Sequence, residues 1–98
     1  MNIKGSNELT LKEIIDELLK VYKLEDGIAK TNLINSWEDV TGAMISKHTE
    51  RIYVKRKTLY IKLDSQALKH ELSFAKSKLI KQLNKAVKKE VIDEIVFL

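Results

Sequence analysis

The amino-acid sequence predicts a single α+β domain with the element order ααββαβ. Its 98 residues are the size of one domain. Apolar residues recur at helical spacing before residue 42 and again after residue 65, whereas residues 51–63 alternate apolar and polar side chains. The first pattern is typical of amphipathic helices, and the second is typical of a half-buried β-hairpin.

The first predicted helix begins at Thr10, with Glu13 three residues later in the capping-box arrangement. Because each helical residue advances by about 100°, its apolar residues share one face. They are Leu11, Ile14, Ile15, Leu18, Leu19 and Tyr22. The stretch Lys23–Gly27 interrupts this pattern and is predicted to end the helix. Residues 1–8 are predicted to form a flexible N-terminal arm, followed by one domain over residues 9–98.

The second predicted helix has its own apolar stripe, spaced by four, four and three residues. The stripe consists of Ala29, Leu33, Trp37 and Val40. Gly42 is predicted to cap this helix, since glycine adopts positive φ angles without steric cost. The residues Ala43–His48 are expected to add one further helical turn.

The hairpin register follows from the alternation of apolar side chains. Pairing Val54 with Leu59, and Ile52 with Ile61, places all four side chains on one face. A two-residue turn and a four-residue loop, Lys55–Thr58, both preserve this register. The sequence lacks the Asn-Gly signature of tight hairpins, which favours the longer loop.

The third predicted helix runs from about Ser65 to Lys88. Its buried stripe is predicted to contain Leu68, Leu72, Ala75, Leu79, Leu83 and Ala86, and its opposite face Lys78, Lys81, Lys85, Lys88 and Lys89. The residues Ile92–Leu98 are rich in Val and Ile and predict a strand. This strand would complete a three-stranded mixed sheet through a helical crossover.

Charge is distributed unevenly along the chain. Residues 1–46 have five Lys and eight acidic residues, a net charge of −3, whereas residues 47–98 have thirteen Lys or Arg and six acidic residues, a net charge of +7. The basic half suggests a surface that faces a polyanion. The alternative is a solvated, lysine-rich exterior.

The residue pattern argues against several classes of function. There is no cysteine, and neither His48 nor His70 has metal ligands at suitable spacing. Nucleophile elbows, P-loops and dinucleotide-binding glycine motifs are missing from the sequence. We therefore expect no enzyme, metal, cofactor or small-molecule substrate. The sequence has no apolar run long enough to cross a bilayer, so we expect a cytoplasmic protein without membrane contact.

Several residues in order resemble the DciA-like family of small bacterial proteins. Trp37 is followed by Gly42, an I-x-x-H-T run lies at Ile45–Thr49, and an L-x-I-x-L strand lies at Leu59–Leu63. The pair Leu68-x-x-x-Leu72 and the closing I-V-F of Ile95–Phe97 complete the resemblance. The family resemblance covers roughly Leu33 to Leu98.

The resemblance implies a KH-like domain that helps load or regulate the replicative, DnaB-type helicase, with DNA binding often alongside. RNA-binding KH domains clamp the backbone with a G-x-x-G loop. This sequence has no such loop, because Ile45 stands three residues after Gly42. RNA recognition by that route is therefore not supported.

The outer hairpin face is the candidate nucleic-acid surface. Tyr53 and Tyr60 lie opposite each other there, surrounded by Arg51, Lys55, Arg56, Lys57 and Lys62. Aromatic rings among cations can stack bases and hold phosphates. The alternative is a cross-strand tyrosine pair that stabilises an exposed sheet. Lys78, Lys81 and Lys85 would extend the basic surface along the third helix.

Two aromatic residues are candidate partner contacts. Trp37 lies on an apolar stripe, so it is either a core anchor or an indole exposed in a partner groove. Phe74 is predicted to lie among lysines, opposite the buried stripe. It is either an exposed interaction residue or a residue covered by the N-terminal part of the chain.

The preferred hypothesis is an accessory factor that binds the replicative helicase and DNA, with single-stranded DNA as a candidate form. The alternative is a stand-alone domain that binds RNA or single-stranded DNA without a helicase partner. A third possibility is a structural subunit that pairs with itself through the C-terminal strand.

Overall fold

The computed structural model describes residues 10–98, except for the side chain of Tyr22. The predicted arm at residues 1–8 and the predicted domain start at residue 9 lie outside the described residues. Five helices and three strands follow one another, in the order α1 (Leu11–Asn35), α2 (Trp37–Thr41), α3 (Ala43–Lys47), β1 (Thr49–Lys55), β2 (Thr58–Leu63), α4 (Gln66–Ser73), α5 (Lys76–Val87) and β3 (Glu94–Phe97). None of the described helices is long and apolar enough to cross a membrane.

Helix α1 is continuous over 25 residues, so the predicted break at Lys23–Gly27 is wrong. Thr10 caps the helix as predicted, because its Oγ1 accepts a hydrogen bond of 3.1 Å from the backbone N–H of Glu13. A glycine inside a helix costs only about 1 kcal/mol relative to alanine. Without proline in the chain, that cost does not terminate a long helix.

The second predicted helix is divided between the end of α1 and the short helix α2. The backbone N–H of Ser36 bonds to the carbonyls of Asn32 and Leu33 at the end of α1, and α2 follows directly. Gly42 separates α2 from α3 with φ +94° and ψ 163°. The predicted cap at Gly42 and the additional turn after it are both present.

The hairpin has the predicted register. Ile52 pairs with Ile61, Val54 with Leu59, and Tyr53 with Tyr60. Strand β2 also pairs in parallel with β3, which gives a mixed sheet in the order β1-β2-β3. The last strand is shorter than predicted, because only Glu94–Phe97 is extended and paired.

The hairpin closes through the two-residue turn Arg56-Lys57, so the preferred four-residue loop is wrong. Lys55 and Thr58 are still paired across the strands. Arg56 has φ +58°, a left-handed conformation that the sequence does not signal because glycine and asparagine are the usual residues there.

The third predicted helix is two helices. Helix α4 ends at Ser73 and is capped by Phe74, whose N–H bonds to the carbonyl of Glu71, and α5 begins after Ala75. The break shifts the buried face of α5 toward Val87, which packs against the core, whereas Ala86 is exposed. The prediction of Ala86 as a buried residue is therefore wrong.

The core lies between one face of the sheet and the helices. Its buried residues come from six elements and from the segment before β3: Leu33, Trp37, Leu59, Ile61, Leu63, Leu72, Leu79, Leu83, Val91, Ile92 and Ile95.

We call residues 29–98 the body, since Ala29 is the first residue of α1 that packs against this core. Residues 11–28, the α1 arm, extend beyond it, and the molecule measures 64 × 21 × 20 Å. The arrangement is α+β and agrees with a KH-like fold.

Candidate nucleic-acid interface and partner contacts

The two predicted tyrosines form a stacked pair on the sheet face that points away from the core. Their ring centroids are 5.0 Å apart and their planes differ by 14°. The guanidinium of Arg51 lies 5.2 Å from the centroid of Tyr53, within the range of a cation–π contact. The cross-strand pair therefore exists, and it already uses one face of each ring.

Eight of the ten predicted nucleic-acid residues are cationic, and most of them have no anionic neighbour. Within residues 10–98, only Lys62 of this set forms an ion pair, with its Nζ 3.7 Å from Oε2 of Glu50. The others are Arg51, Lys55, Arg56, Lys57, Lys78, Lys81 and Lys85. Exposed charges without protein partners are available to phosphates.

A depression of about 780 Å³ lies where the hairpin turn approaches the end of α5. Its lysines are Lys57, Lys81, Lys85, Lys88 and Lys89, and its carboxylates are Glu90 and Asp93. The backbone holds the turn in place, because the carbonyl of Lys57 accepts hydrogen bonds from the N–H groups of Asp93 and Glu94. Five cations against two anions make the depression basic.

The structure divides the predicted nucleic-acid residues into two groups. Tyr53 and Tyr60 point away from the core on the open face of the sheet. Helix α5 packs its buried residues on the core side, so Lys78, Lys81 and Lys85 point away from the sheet in the other direction. Lys57 belongs to the hairpin turn and also lines the depression, so the turn joins the two groups.

Asn84 organises the depression, and the sequence interpretation missed it. Its Oδ1 accepts hydrogen bonds of 2.9 Å and 3.1 Å from the N–H groups of Val91 and Ile92, and its Nδ2 donates one of 2.8 Å to the carbonyl of Ile92. These three bonds hold the chain that leaves α5 at the left-handed residue Lys88, with φ +55°. An asparagine near the end of an amphipathic helix was the available signal, because asparagine is a poor helix former that bonds backbone groups.

Trp37 lies in the core with only 3% of its surface exposed. Its Nε1–H donates a hydrogen bond of 3.0 Å to Oγ1 of Thr49, and that hydroxyl donates to the carbonyl of Ile45. The core-anchor interpretation fits this geometry, since the indole is packed and its polar group is satisfied. In the folded domain the side chain is not accessible to a partner.

Phe74 is 77% exposed, at the junction between α4 and α5. The His70 ring meets it edge-on, with centroids 5.0 Å apart and planes at 90°. The helix break places this large apolar ring on the surface of the described residues, which corresponds to the first of the two alternatives drawn from the sequence. Of the two predicted partner contacts, Phe74 is the one that a partner can reach.

His48 pairs with a carboxylate that the sequence interpretation did not assign to it. Its Nδ1 lies 2.7 Å from Oδ1 of Asp64, and its carbonyl accepts a hydrogen bond from the N–H of Asp64. The sequence carried no signal for this pair, because the regular register would place Thr49 opposite Asp64. A β-bulge between Thr49 and Arg51 shifts the pairing by one residue, so that Thr49 pairs with Leu63 and His48 meets Asp64. Among residues 10–98, no three His, Cys, Asp or Glu side chains converge as metal ligands would.

Comparison with known protein families gives a match over most of the chain. The model of a protein family described as "Dna[CI] antecedent, DciA" matches residues 10–97, which is nearly the whole described chain. No curated protein matches the sequence.

Proposed function

Because the chain belongs to the DciA family, we propose that it is a non-enzymatic accessory factor that binds the replicative, DnaB-type helicase and DNA in the cytoplasm. The family is linked to the loading of that helicase, which supports a role in DNA replication. The family match over residues 10–97 is the observation on which this proposal rests.

The helicase contact is assigned to the surface around Phe74. Large exposed aromatic residues frequently dominate the energy of protein interfaces. Phe74 is the most exposed of the large apolar residues in the described chain, and its neighbour His70 orients the ring. A partner that covers the ring would remove apolar surface from water without any rearrangement of the core.

The DNA contact is assigned to the cations of the hairpin and α5. The hairpin turn places Lys57 next to Lys81 and Lys85 in the basic depression, and Arg51 and Lys55 lie on the open sheet face. These cations have no carboxylate partner within the described residues, so phosphate oxygens of DNA would pair with them. Since the tyrosine rings already stack on each other, we expect phosphate contacts to supply most of the affinity.

The mechanism follows from the lack of a nucleotide-binding motif in the sequence. A protein without its own energy source can change a helicase only by binding one of its arrangements more tightly than another. The factor would thus stabilise the arrangement that admits DNA, while its own cations hold the strand nearby.

The test is complex formation between the purified protein and the replicative helicase of its own organism. Size-exclusion chromatography with light scattering at about 150 mM salt screens long-range charge attraction. We expect a complex that elutes with the mass of helicase plus factor. Phe74→Ala should weaken it at least about tenfold, as for an interface residue worth more than 1.4 kcal/mol.

The matched control is Met44→Ala, which removes another exposed apolar side chain from a different helix. This variant should form the complex like the unmodified protein. If the unmodified protein forms no complex but still binds single-stranded nucleic acid, the stand-alone binding domain is the correct function. If Phe74→Ala and Met44→Ala behave alike, the helicase contact lies elsewhere.

A further inference from the structure

The α1 arm exposes more apolar surface than a solvated helix needs. Seven of its large apolar residues are between 46% and 74% exposed. They are Leu11, Ile15, Leu18, Leu19, Val21, Leu24 and Ile28. None of them belongs to the core or packs against it. Contiguous exposed apolar surface on a small protein generally marks an interaction site.

The spacing of these residues is that of a helix that packs along another helix. Leu11 and Leu18 are seven residues apart, and Ile14, Val21 and Ile28 follow one another at the same interval. This is the a/d pattern of two-helix packing, in which apolar residues repeat every three or four positions, with the charged Glu25 at the a position after Leu18. The arm spans 18 residues, or about 27 Å, which is long enough for such packing.

We propose that the α1 arm pairs in antiparallel orientation with the α1 arm of a second copy of this chain. The charges of the molecule favour this occupant. The arm has three lysines and five carboxylates, a net charge of −2, whereas the body has fourteen Lys or Arg and eight carboxylates, a net charge of +6. The antiparallel orientation brings the acidic start of each arm to the basic body of the other copy.

The apolar pattern selects the register of the antiparallel pair. With the symmetry axis between Leu19 and Lys20, Leu11 meets Ile28 of the other copy and Leu18 meets Val21. The interface is isologous, as a two-fold dimer requires.

A parallel pair of arms would bring like charges together. It would place the two basic bodies side by side and the carboxylates of each arm beside their own copies. In the antiparallel pair the bodies begin about 29 Å apart along the axis, given a rise of 1.5 Å per residue. Neither body therefore obstructs the contact.

The first experiment measures the mass of the full chain by sedimentation equilibrium. We expect a concentration-dependent transition from 11.3 kDa to twice that value. The variant Leu18→Gln/Val21→Gln should weaken the dimer at least about tenfold, because it removes four central apolar side chains per pair. Its body should still unfold cooperatively at the same temperature, since neither residue is in the core.

The control variant Asp16→Gln/Lys23→Gln introduces the same residues on the outer face of the same helix. Both side chains are exposed, and the removal of one carboxylate and one lysine leaves the net charge unchanged. We expect its dimer affinity to match that of the unmodified chain. A monomer at every concentration, or a dimer that Leu18→Gln/Val21→Gln leaves intact, would overturn the proposal, the second result by assigning the contact to another surface such as β3.

The second experiment determines orientation and exploits the lack of cysteine in the chain. A mixture of Leu11→Cys and Ile28→Cys proteins should form a disulfide-linked heterodimer under mild oxidation. Leu11→Cys alone should not cross-link, because its two copies would lie about 25 Å apart along the axis, far beyond disulfide reach. Efficient cross-linking of Leu11→Cys with itself would contradict the antiparallel pair.

Discussion

At the scale of single residues, Asn84 shows how one side chain shapes a surface. It is half-buried and satisfies three backbone groups of the segment that connects α5 with β3. This segment lines the basic depression, and its end carries the N–H groups that bond Lys57 of the hairpin turn. The position of the lysines therefore depends on a neutral residue that touches no ligand.

Replacing this residue tests its structural importance. Asn84→Ala should lower the free energy of unfolding by about 2–3 kcal/mol, because it leaves partly buried backbone groups without partners. Urea denaturation should show a lower midpoint with an unchanged m-value. Gln82→Ala, on the exposed face of the same helix, is the control and should change stability by less than about 0.5 kcal/mol. Equal midpoints for the two variants would contradict the assignment.

At the scale of elements, Gly27 and Gly42 differ in backbone conformation, so that a Cβ atom is tolerated at the first glycine and strained at the second. A Cβ atom added at Gly27 or at Gly42 would meet no heavy atom within 4 Å. Gly27 lies within α1, where any residue fits. Gly42 has φ +94° and ψ 163°, a region that is essentially restricted to glycine.

The same substitution should therefore have opposite signs at the two sites. Gly27→Ala should stabilise α1 by about 0.5–1 kcal/mol, and far-UV circular dichroism should show increased helicity at elevated temperature. Gly42→Ala should destabilise the body by about 1–3 kcal/mol through backbone strain. Each variant is the control for the other. Stabilisation by both would show that the α2–α3 junction can adopt another conformation.

The sequence predicted the sheet better than the helix ends, for a physical reason. A hairpin register is strongly specified, because a shift of one residue would expose both Ile52 and Val54. Helix breaks depend on small differences in free energy. The stretch before Gly27 suggested a break that does not exist, whereas Phe74 and Ala75 form a break without glycine or proline.

At the scale of the whole molecule, charge is separated between the acidic arm and the basic body. Individual cations of the candidate site could be identified from the sequence, because the hairpin alternation places them on one face. The depression could not, since it requires the hairpin turn, α5 and the segment before β3 to meet in space. Lys57 and Lys85 are far apart in the sequence and line the same depression only because the tertiary fold brings them together.

The charge separation leads to a prediction about single-stranded DNA. Its affinity should fall steeply with salt, since bound lysines displace counterions from phosphates. Lys81→Gln/Lys85→Gln should reduce the slope of log K against log salt by about 0.7 for each lost phosphate contact. Lys12→Gln/Lys23→Gln removes the same charge from the arm and should leave the slope unchanged. Fluorescence anisotropy of a labelled oligonucleotide measures the affinity of both variants at each salt concentration. Equal reductions of the slope in the two variants would indicate non-specific charge attraction.

The burial of Trp37 also determines what can be observed spectroscopically. It is the single tryptophan of the chain, and its indole lies among the core residues of the body rather than in the arm. Intrinsic tryptophan emission therefore reports the unfolding of the body and is silent about fraying of α1. Circular dichroism at 222 nm, by contrast, is sensitive to both. If the fluorescence and circular-dichroism transitions have different midpoints, the difference measures how independently the arm unfolds.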